Sequence, residues 1–456
     1  MKKMLIALLL LVTVTGCEMI PDFKRPEVDM PAAWKDGTRG GEAHVDAGWW
    51  KNFRSAELDR LMDEALANNL DLKASVARIN QSRASARIAG ASLLPSVDGS
   101  GSLGGTQTNP SSGANRWAPA ARAGLDVSYE LDLFGANRAG VKSAKASLSN
   151  TIFSHEALRL VVMADVATSY FRLLNLRERQ GITQKTLKNI EEVLKVAQAR
   201  FDAGSTSAID VSRQKTELAN ARASVAAIKN QVSAAENALS ILLGKPPQNV
   251  KIKPAGLGAI AAPKVPVTQP SSVLVQRPDI RAAEMQLVAA NADIGVARAA
   301  FFPSFDIGST ASLAFSPLTS PAGTTLALLA SVAMPLFKGG LLEGGVERAT
   351  ARQVELAENY RATVLVSLQE VEDALSSVKA ARLRQSAYAE AVKEAKKTYE
   401  LSRGLYEAGS VDYQTMLDSE RTLLTANDNY ASVKFELLSA ATDLYRALGG
   451  GWVAAK

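Results

Sequence analysis

Large apolar residues recur every seven positions along two long stretches of this 456-residue chain. The second stretch follows the first by 205 positions and keeps its register. A strict seven-residue repeat is typical of helices that pack side by side in a left-handed supercoil. Because two stretches of different residues share the pattern, we infer one structural unit that is used twice. The two rows are Val211, Leu218, Val225, Val232 and Leu239, and Met416, Leu423, Tyr430, Leu437 and Leu444.

A turn of similar sequence follows a long helical stretch in each half. Residues 201–205 read FDAGS and residues 406–410 read YEAGS. About 65 residues without proline precede each turn, which corresponds to roughly 100 Å of helix. After the turn, the chain is predicted to return along the heptad rows. The predicted helical segments are 57–94 and 277–302, and the long helical hairpins are 134–244 and 338–448.

Alternating apolar and polar residues separate the short helical segment from the long hairpin in each half. The alternation is clearest in residues 121–133 and predicts strands that are apolar on one face and polar on the other. We predict four strands in two hairpins, 95–133 and 303–337, with polar loops near 106–118 and 316–323.

Four strands are too few to close a membrane barrel, because the smallest spanning barrels need about eight. An open sheet in lipid leaves backbone groups unpaired, at a cost of several kcal/mol each. We therefore expect three copies to combine their hairpins. The predicted fold class is mainly α with a small β part and an internal two-fold repeat. A long coiled-coil α-helical barrel joins four β-strands per chain, which complete a 12-stranded transmembrane β-barrel in the trimer.

The N-terminus has the layout of a secretory signal, with Lys2 and Lys3 before an apolar run. The small residues before Cys17 resemble the bacterial lipobox, which implies cleavage after residues 1–16 and acylation of Cys17. Cys17 is the only cysteine, so disulfides within one chain are excluded. Residues 17–56 then read as a lipidated tether. An ordinary signal peptide with an incidental cysteine is the alternative.

Composition narrows the remaining function classes. The net charge of +6 is spread among acidic residues, which indicates a solvated surface and not a nucleic-acid interface. His44 and His155 are distant in sequence, and the chain has no phosphate loop, metal-ligand spacing or nucleophile elbow. We therefore expect no enzymatic activity, no metal site and no cofactor apart from the covalent lipid on Cys17.

The order of strand hairpin, long helix, Gly-Ser turn and return helix, present twice, resembles the TolC-like outer membrane factors. The lipobox, residues 276–281 (QRPDIR) and residues 448–452 (LGGGW) are similar to the NodT/OprM-type lipoprotein branch. This resemblance implies a homotrimer in the outer membrane of a Gram-negative bacterium, in contact with outer membrane lipid and with its helical part in the periplasm. It also implies two partners, a periplasmic adaptor and an inner-membrane RND-type pump, and passive efflux of drugs, dyes or similar small molecules.

Members of this family close their channel near the two turns with an Asp and an Arg one helical turn apart. Residues 413–421 (YQTMLDSER) match that motif and make Asp418 and Arg421 the gate candidates. Their spacing places them on one helix face. Gln414 stands where relatives have Leu, and Asp210 beyond the first turn is a further candidate. The alternative for each is an exposed ion pair worth less than about 1 kcal/mol.

The remaining predictions concern the turns and the segments outside the repeats. Asp412 precedes a predicted helix and is expected to be its N-terminal cap. Residues 245–276 are predicted as a mixed connecting segment, and 449–456 as a C-terminal tail. The candidates for adaptor docking are Gly204, Ser205, Gly409 and Ser410.

Three other functions remain open from the sequence. A periplasmic coiled-coil structural lipoprotein would explain the heptads and the lipid, but not four strands placed symmetrically. A channel for metal ions and the outer membrane component of a type I secretion system share the same architecture.

Overall fold

The computed structural model describes residues 19–35, 45–108, 116–253, 256–315 and 323–452. The predicted signal peptide and Cys17 lie outside these residues, as do the central parts of the two predicted hairpin loops. The chain forms two compact units. The sheet unit comprises Met1–Glu27, Ala77–Phe153 and Arg281–Ala362, and the hairpin unit comprises Val28–Val76, Ser154–Ile280 and Thr363–Lys456.

The helices and strands of the described residues repeat in matched lengths. The paired helices contain 22 residues (α2 and α6), 67 residues (α3 and α7) and 35 residues (α4 and α8). These equal lengths confirm the internal repeat. In chain order the elements are α1 (Ala56–Asn68), α2 (Leu70–Ala91), β1 (Ser96–Thr108), β2 (Arg116–Glu130), α3 (Ala136–Asp202), α4 (Ala208–Leu242), α5 (Val273–Gln276), α6 (Pro278–Ala299), β3 (Ser304–Phe315), β4 (Gly323–Ala333), α7 (Leu341–Glu407) and α8 (Tyr413–Ala447).

The four strands form one antiparallel sheet in the order β1-β2-β3-β4, within the sheet unit. The pairing of β2 with β3 joins the two hairpins, and the Thr310 hydroxyl donates a hydrogen bond of 2.8 Å to Asp126 Oδ1 across that pair. This arrangement confirms the mainly α fold with four strands in two hairpins. It also leaves β1 and β4 as the edges of the sheet.

Apolar side chains on the sheet are uncovered in the single chain. Leu103 is 90% exposed and Leu328 is 82% exposed. An exposed apolar surface of this extent marks contact with lipid or with another protein. The other large exposed apolar residues on the strands include Val97, Trp117, Leu125, Leu313, Phe315, Leu326 and Val332.

The first predicted helical segment is interrupted near its middle. A separate 3₁₀ helix, Trp49–Phe53, precedes the segment, and within the segment α1 ends before Asn69. The buried Asn69 side chain accepts a hydrogen bond from Leu72 N at 3.0 Å and donates one to Leu242 O at 2.9 Å. Asn69 therefore caps α2 and fixes the C-terminal end of α4, which a periodic pattern of apolar residues does not reveal.

Part of the predicted tether, residues 19–27 of the sheet unit, packs against a helix. Residues 19–27 have no regular secondary structure but lie against α6. Asn291 donates a hydrogen bond of 2.7 Å to Pro21 O, and Phe23 packs against a buried cluster that includes Leu287. Ile20 lies over Gly295 so closely that a Cβ there would be 2.5 Å from Ile20 Cγ1. Because Gly295 carries no side chain, the segment has room to pass.

Replacing Gly295 with leucine should release this N-terminal segment, because the new side chain would occupy the place of Ile20. We expect limited proteolysis between residues 19 and 27 to become at least about tenfold faster. The matched control is Gly90→Leu, at a glycine of α2 where an added Cβ would meet nothing within 4 Å. Equal protection of residues 19–27 in both variants would show that the contact at Gly295 does not hold the segment.

Candidate functional site

Both turns of the hairpin unit end their long helices in the same way. Gly204 has a φ of +70° and Gly409 a φ of +77°, which is the left-handed conformation that glycine adopts without strain. Ser205 N donates to Arg200 O and Ser410 N donates to Leu405 O, both at 2.8 Å. This is the Schellman pattern, so the predicted docking residues also have a structural role as helix ends.

Each return helix begins with a side-chain cap. The Asp412 carboxylate accepts hydrogen bonds from Thr415 N at 2.8 Å and from the Thr415 hydroxyl at 2.6 Å, which confirms Asp412 as the cap of α8. These hydrogen bonds lower the pKa of Asp412. Ser207 is the corresponding cap of α4.

Asp210 takes part in the start of α4. Its carboxylate accepts a hydrogen bond of 2.7 Å from the Thr206 hydroxyl, and this bond is the main reason why the pKa of Asp210 is lowered. Hydrogen bonds with Ser207 lower the pKa further. A negative charge at a helix N-terminus is also favoured by the helix dipole. Asp210 therefore stabilises the first turn, and a contribution to a gate stays a prediction.

The two gate candidates have different partners within the chain. Asp418 accepts a hydrogen bond of 3.0 Å from Gln414 Nε2, one turn earlier on α8. Arg421 donates to the Glu217 carboxylate on α4. The described ion pair of Arg421 therefore connects the two return helices and does not involve Asp418.

Glu217 is not among the residues that the sequence motifs single out. It lies 204 positions before Arg421, so no local motif joins the two. The repeat does not join them either, because a shift of 205 relates Glu217 to Thr422 and Arg421 to Thr216. The pair becomes evident only when the two return helices are packed together.

A small apolar core lies behind the charged residues. Tyr406, Tyr413 and Met416 are buried in a cluster with Val193 and Leu417. This core brings together α3, α7 and α8 next to the second turn. Apolar packing of this kind fixes the positions of exposed side chains on the same helix turns.

Arg200 connects the two turns of the hairpin unit. Its guanidinium carbon lies 4.6 Å from the centre of the Tyr406 ring, and Nη2 donates to Tyr406 O at 3.0 Å and to Glu407 O at 3.1 Å. The carbonyl groups at the end of α7 would otherwise lack partners within the helix. Arg200 therefore caps α7 from α3.

One carboxyl group of α8 points away from solvent. Glu420 is only 6% exposed. The preceding residue, Ser419, is also buried, whereas the following residue, Arg421, is exposed. Burial is the main cause that raises the pKa of Glu420 to about 7, against the opposing effects of Arg403 and Asn189. Burial also raises the pKa of the nearby Tyr413 hydroxyl. No motif or periodicity in the sequence indicates this buried group.

Comparison with known proteins identifies the chain. The sequence model of one family, described as outer membrane efflux protein, matches residues 61–245 and 269–450. The chain belongs to the outer membrane efflux protein family. The two matched regions contain one repeat each, and they include Asp210, Asp418 and Arg421.

Relatives of this outer membrane efflux protein match it over nearly their whole length. The pyoverdine export outer membrane protein OpmQ of Pseudomonas aeruginosa is 34% identical over 92% of this chain and 91% of its own. The cation efflux system protein CusC of Escherichia coli is 29% identical over 96% of both chains. The open-state crystal structure of the MtrE outer membrane channel of Neisseria gonorrhoeae is 28% identical, with a TM-score of 0.85 over 95% of this chain and 98% of that one.

Membership of the family places the chain in the outer membrane of Gram-negative bacteria and confirms the resemblance inferred from the repeat, the turns and the lipobox. Among the described residues, no helix combines the length and apolar character needed to cross a membrane.

Proposed function

We propose that three copies of this outer membrane efflux protein form a channel through which small molecules pass passively to the exterior. The observation that carries the proposal is the open four-stranded sheet with exposed apolar side chains, connected to long paired helices. An inner-membrane pump of the RND type and a periplasmic adaptor would deliver the molecules and supply the energy.

The need for more than one copy follows from the two unpaired sheet edges. β1 and β4 each present a row of backbone donors and acceptors at an edge. In lipid each unpaired group costs several kcal/mol, so β4 of one copy would pair with β1 of the next until the sheet closes. Three copies give a barrel in the range of known spanning barrels.

We propose that the channel closes at the turns of the hairpin unit. Asp418 and Arg421 are exposed on α8, where equivalent residues of three subunits can approach one another around a common axis. Arg421 also ties α8 to α4 through Glu217, so movement of one return helix would be coupled to the other. Gln414 and Asp210 complete the candidate set. The adaptor would contact the two turns at Gly204, Ser205, Gly409 and Ser410.

The proposed lipid on Cys17 would anchor the chain next to the sheet unit. Residues 19–27 lie against α6, which is followed by β3 after only a few residues. The lipid would therefore enter the same membrane as the sheet. Acylated Cys17 would supplement the sheet as an attachment to the membrane.

The proposed cargo is a small organic molecule. OpmQ is named for the export of pyoverdine, which supports this class, whereas CusC is named for cation efflux and supports metal ions as the alternative. We propose that the pump and not the channel selects among them.

Electrical recording from purified wild-type protein in planar bilayers tests the proposed function. We expect small, mostly closed events, because the gate residues hold the turns together. A periplasmic structural lipoprotein would give no conductance at all. A channel of this kind performs no chemical reaction, so the same preparation should show no turnover that a point mutation abolishes.

A further inference from the structure

Glu420 is a carboxyl group in a place where the structure provides little to hold its charge. It lies on α8 between the two gate candidates in sequence, but it is buried while both of them are exposed. Its Oε1 atom and the Tyr413 hydroxyl are buried and have no hydrogen-bond partner among the described residues. A buried carboxylate in such surroundings is costly unless it is paired or takes up a proton.

Every helix around Glu420 contributes a polar or charged group. Asn189 on α3 is close enough to the carboxyl group to lower its pKa, and Tyr399 on α7 and Tyr413 on α8 lie near it. Glu217 on α4 adds a negative charge, and Arg403 on α7 adds a positive one. Glu420 therefore lies near groups from four helices, α3, α4, α7 and α8.

The nearby cations are already paired with other carboxylates. The pairs are Arg403 with Glu407 at 2.9 Å, Arg403 with Glu192 at 3.8 Å, and Arg421 with Glu217. A charged Glu420 would have to compete for Arg403 or admit water into the core. A neutral Glu420 requires neither, since a protonated carboxyl group packs as an uncharged polar side chain.

We propose that Glu420 is a positioning residue that couples the gate to proton concentration. With the carboxyl group neutral, α8 stays packed against α3 and α7, and Asp418 and Arg421 remain in the closed arrangement. When the proton leaves, the buried charge loosens this packing and displaces the two exposed residues. This inference rests on the proposed gate and adds a regulating group to it.

The direction of the pH dependence follows from the environment of Glu420. Its pKa is raised by burial from 4.5 to about 7 in the packed state. The packed state therefore keeps a proton that an opened, solvated state gives up. Its stabilisation is complete below the ordinary pKa of 4.5 and is lost as the pH rises through about 7. The gate should open more often above neutral pH than below it.

Planar bilayer recording at about pH 6 and about pH 8 tests the inference. Release of one proton limits the change to about tenfold per pH unit for each subunit. With a pKa of about 7 in the packed state, we expect the open probability of the wild type to rise by roughly tenfold between these pH values for each subunit that must open. Glu420→Gln should remain mostly closed at both pH values, because glutamine resembles the neutral acid. Glu420→Met, which has a similar length and no charge, should behave in the same way if the glutamine variant does not fold.

The matched control is Glu400→Gln, which removes an exposed carboxylate paired with Lys396 on α7. It should keep the pH response of the wild type. Equal pH responses in wild type and Glu420→Gln would overturn the inference and leave the channel function standing. A wild type that gives no conductance at either pH would instead overturn the proposed function, and the inference with it.

Discussion

Alanine at Asp418 or Arg421 should raise the open probability of the reconstituted channel by about fivefold for each subunit that must open. This factor corresponds to the loss of about 1 kcal/mol of interaction per subunit, the upper range for an exposed charged pair. Arg421→Ala removes the ion pair to Glu217 that ties α8 to α4. Within the chain the Asp418 carboxylate contacts Gln414 on the same helix, so Asp418→Ala would act by removing a charge that meets a neighbouring subunit in the proposed gate. Single-channel recording at constant pH provides the measurement.

Two controls separate a gate from a general loss of stability. Asp418→Asn retains a side-chain oxygen for Gln414 and removes only the charge, so it should open the channel almost as much as alanine does. Arg352→Ala breaks an exposed pair with Glu355 in the sheet unit and should leave the open probability unchanged. Equal recordings from Asp418→Ala, Arg421→Ala and wild type would exclude both residues from the gate.

Alanine at Gly449 or Gly451 should cause a large loss of stability. Gly449 has a φ of +89°, and a Cβ there would lie 2.2 Å from Gln276 O. Gly451 has a φ of +74°, and its Cβ would lie 2.3 Å from Ala47 N. Because both contacts involve backbone atoms that cannot turn aside, we expect each variant to lose about 3 kcal/mol or more. Thermal unfolding followed by circular dichroism gives the measurement.

Gly181→Ala is the matched control for this prediction. Gly181 lies within α3, and nothing is within 4 Å of the Cβ position. Alanine is favoured over glycine inside a helix by about 0.5–1 kcal/mol, so this variant should be slightly more stable than the wild type. A similar loss of stability in all three variants would show that the C-terminal glycine turn is not under this steric restriction.

The periodic parts of the fold could be predicted from the sequence. Heptads and alternation show which face of a helix or strand is apolar, and they can be recognised from residues that are close together in sequence. The long helices end at Asp202 and Glu407, next to the turns that the FDAGS and YEAGS motifs predicted. Asp412 could also be predicted as a cap, because capping depends on residues only three positions apart.

Features that depend on distant contacts could not be predicted in this way. The break at Asn69 requires the end of α4 as a partner, and the fixed course of residues 19–27 requires α6. A glutamate read from the sequence alone is expected to be exposed, so the burial of Glu420 becomes evident only when the neighbouring helices are in place. The pairing of Arg421 with Glu217 is likewise a property of the assembled hairpins.

The mass of the purified protein in detergent, measured by light scattering or native mass spectrometry, tests most directly whether the channel is built from three chains. The described residues of each chain form four strands, and their sheet has two open edges. We predict a single species with the mass of three chains. A stable monomer whose sheet remains folded in detergent would contradict this prediction.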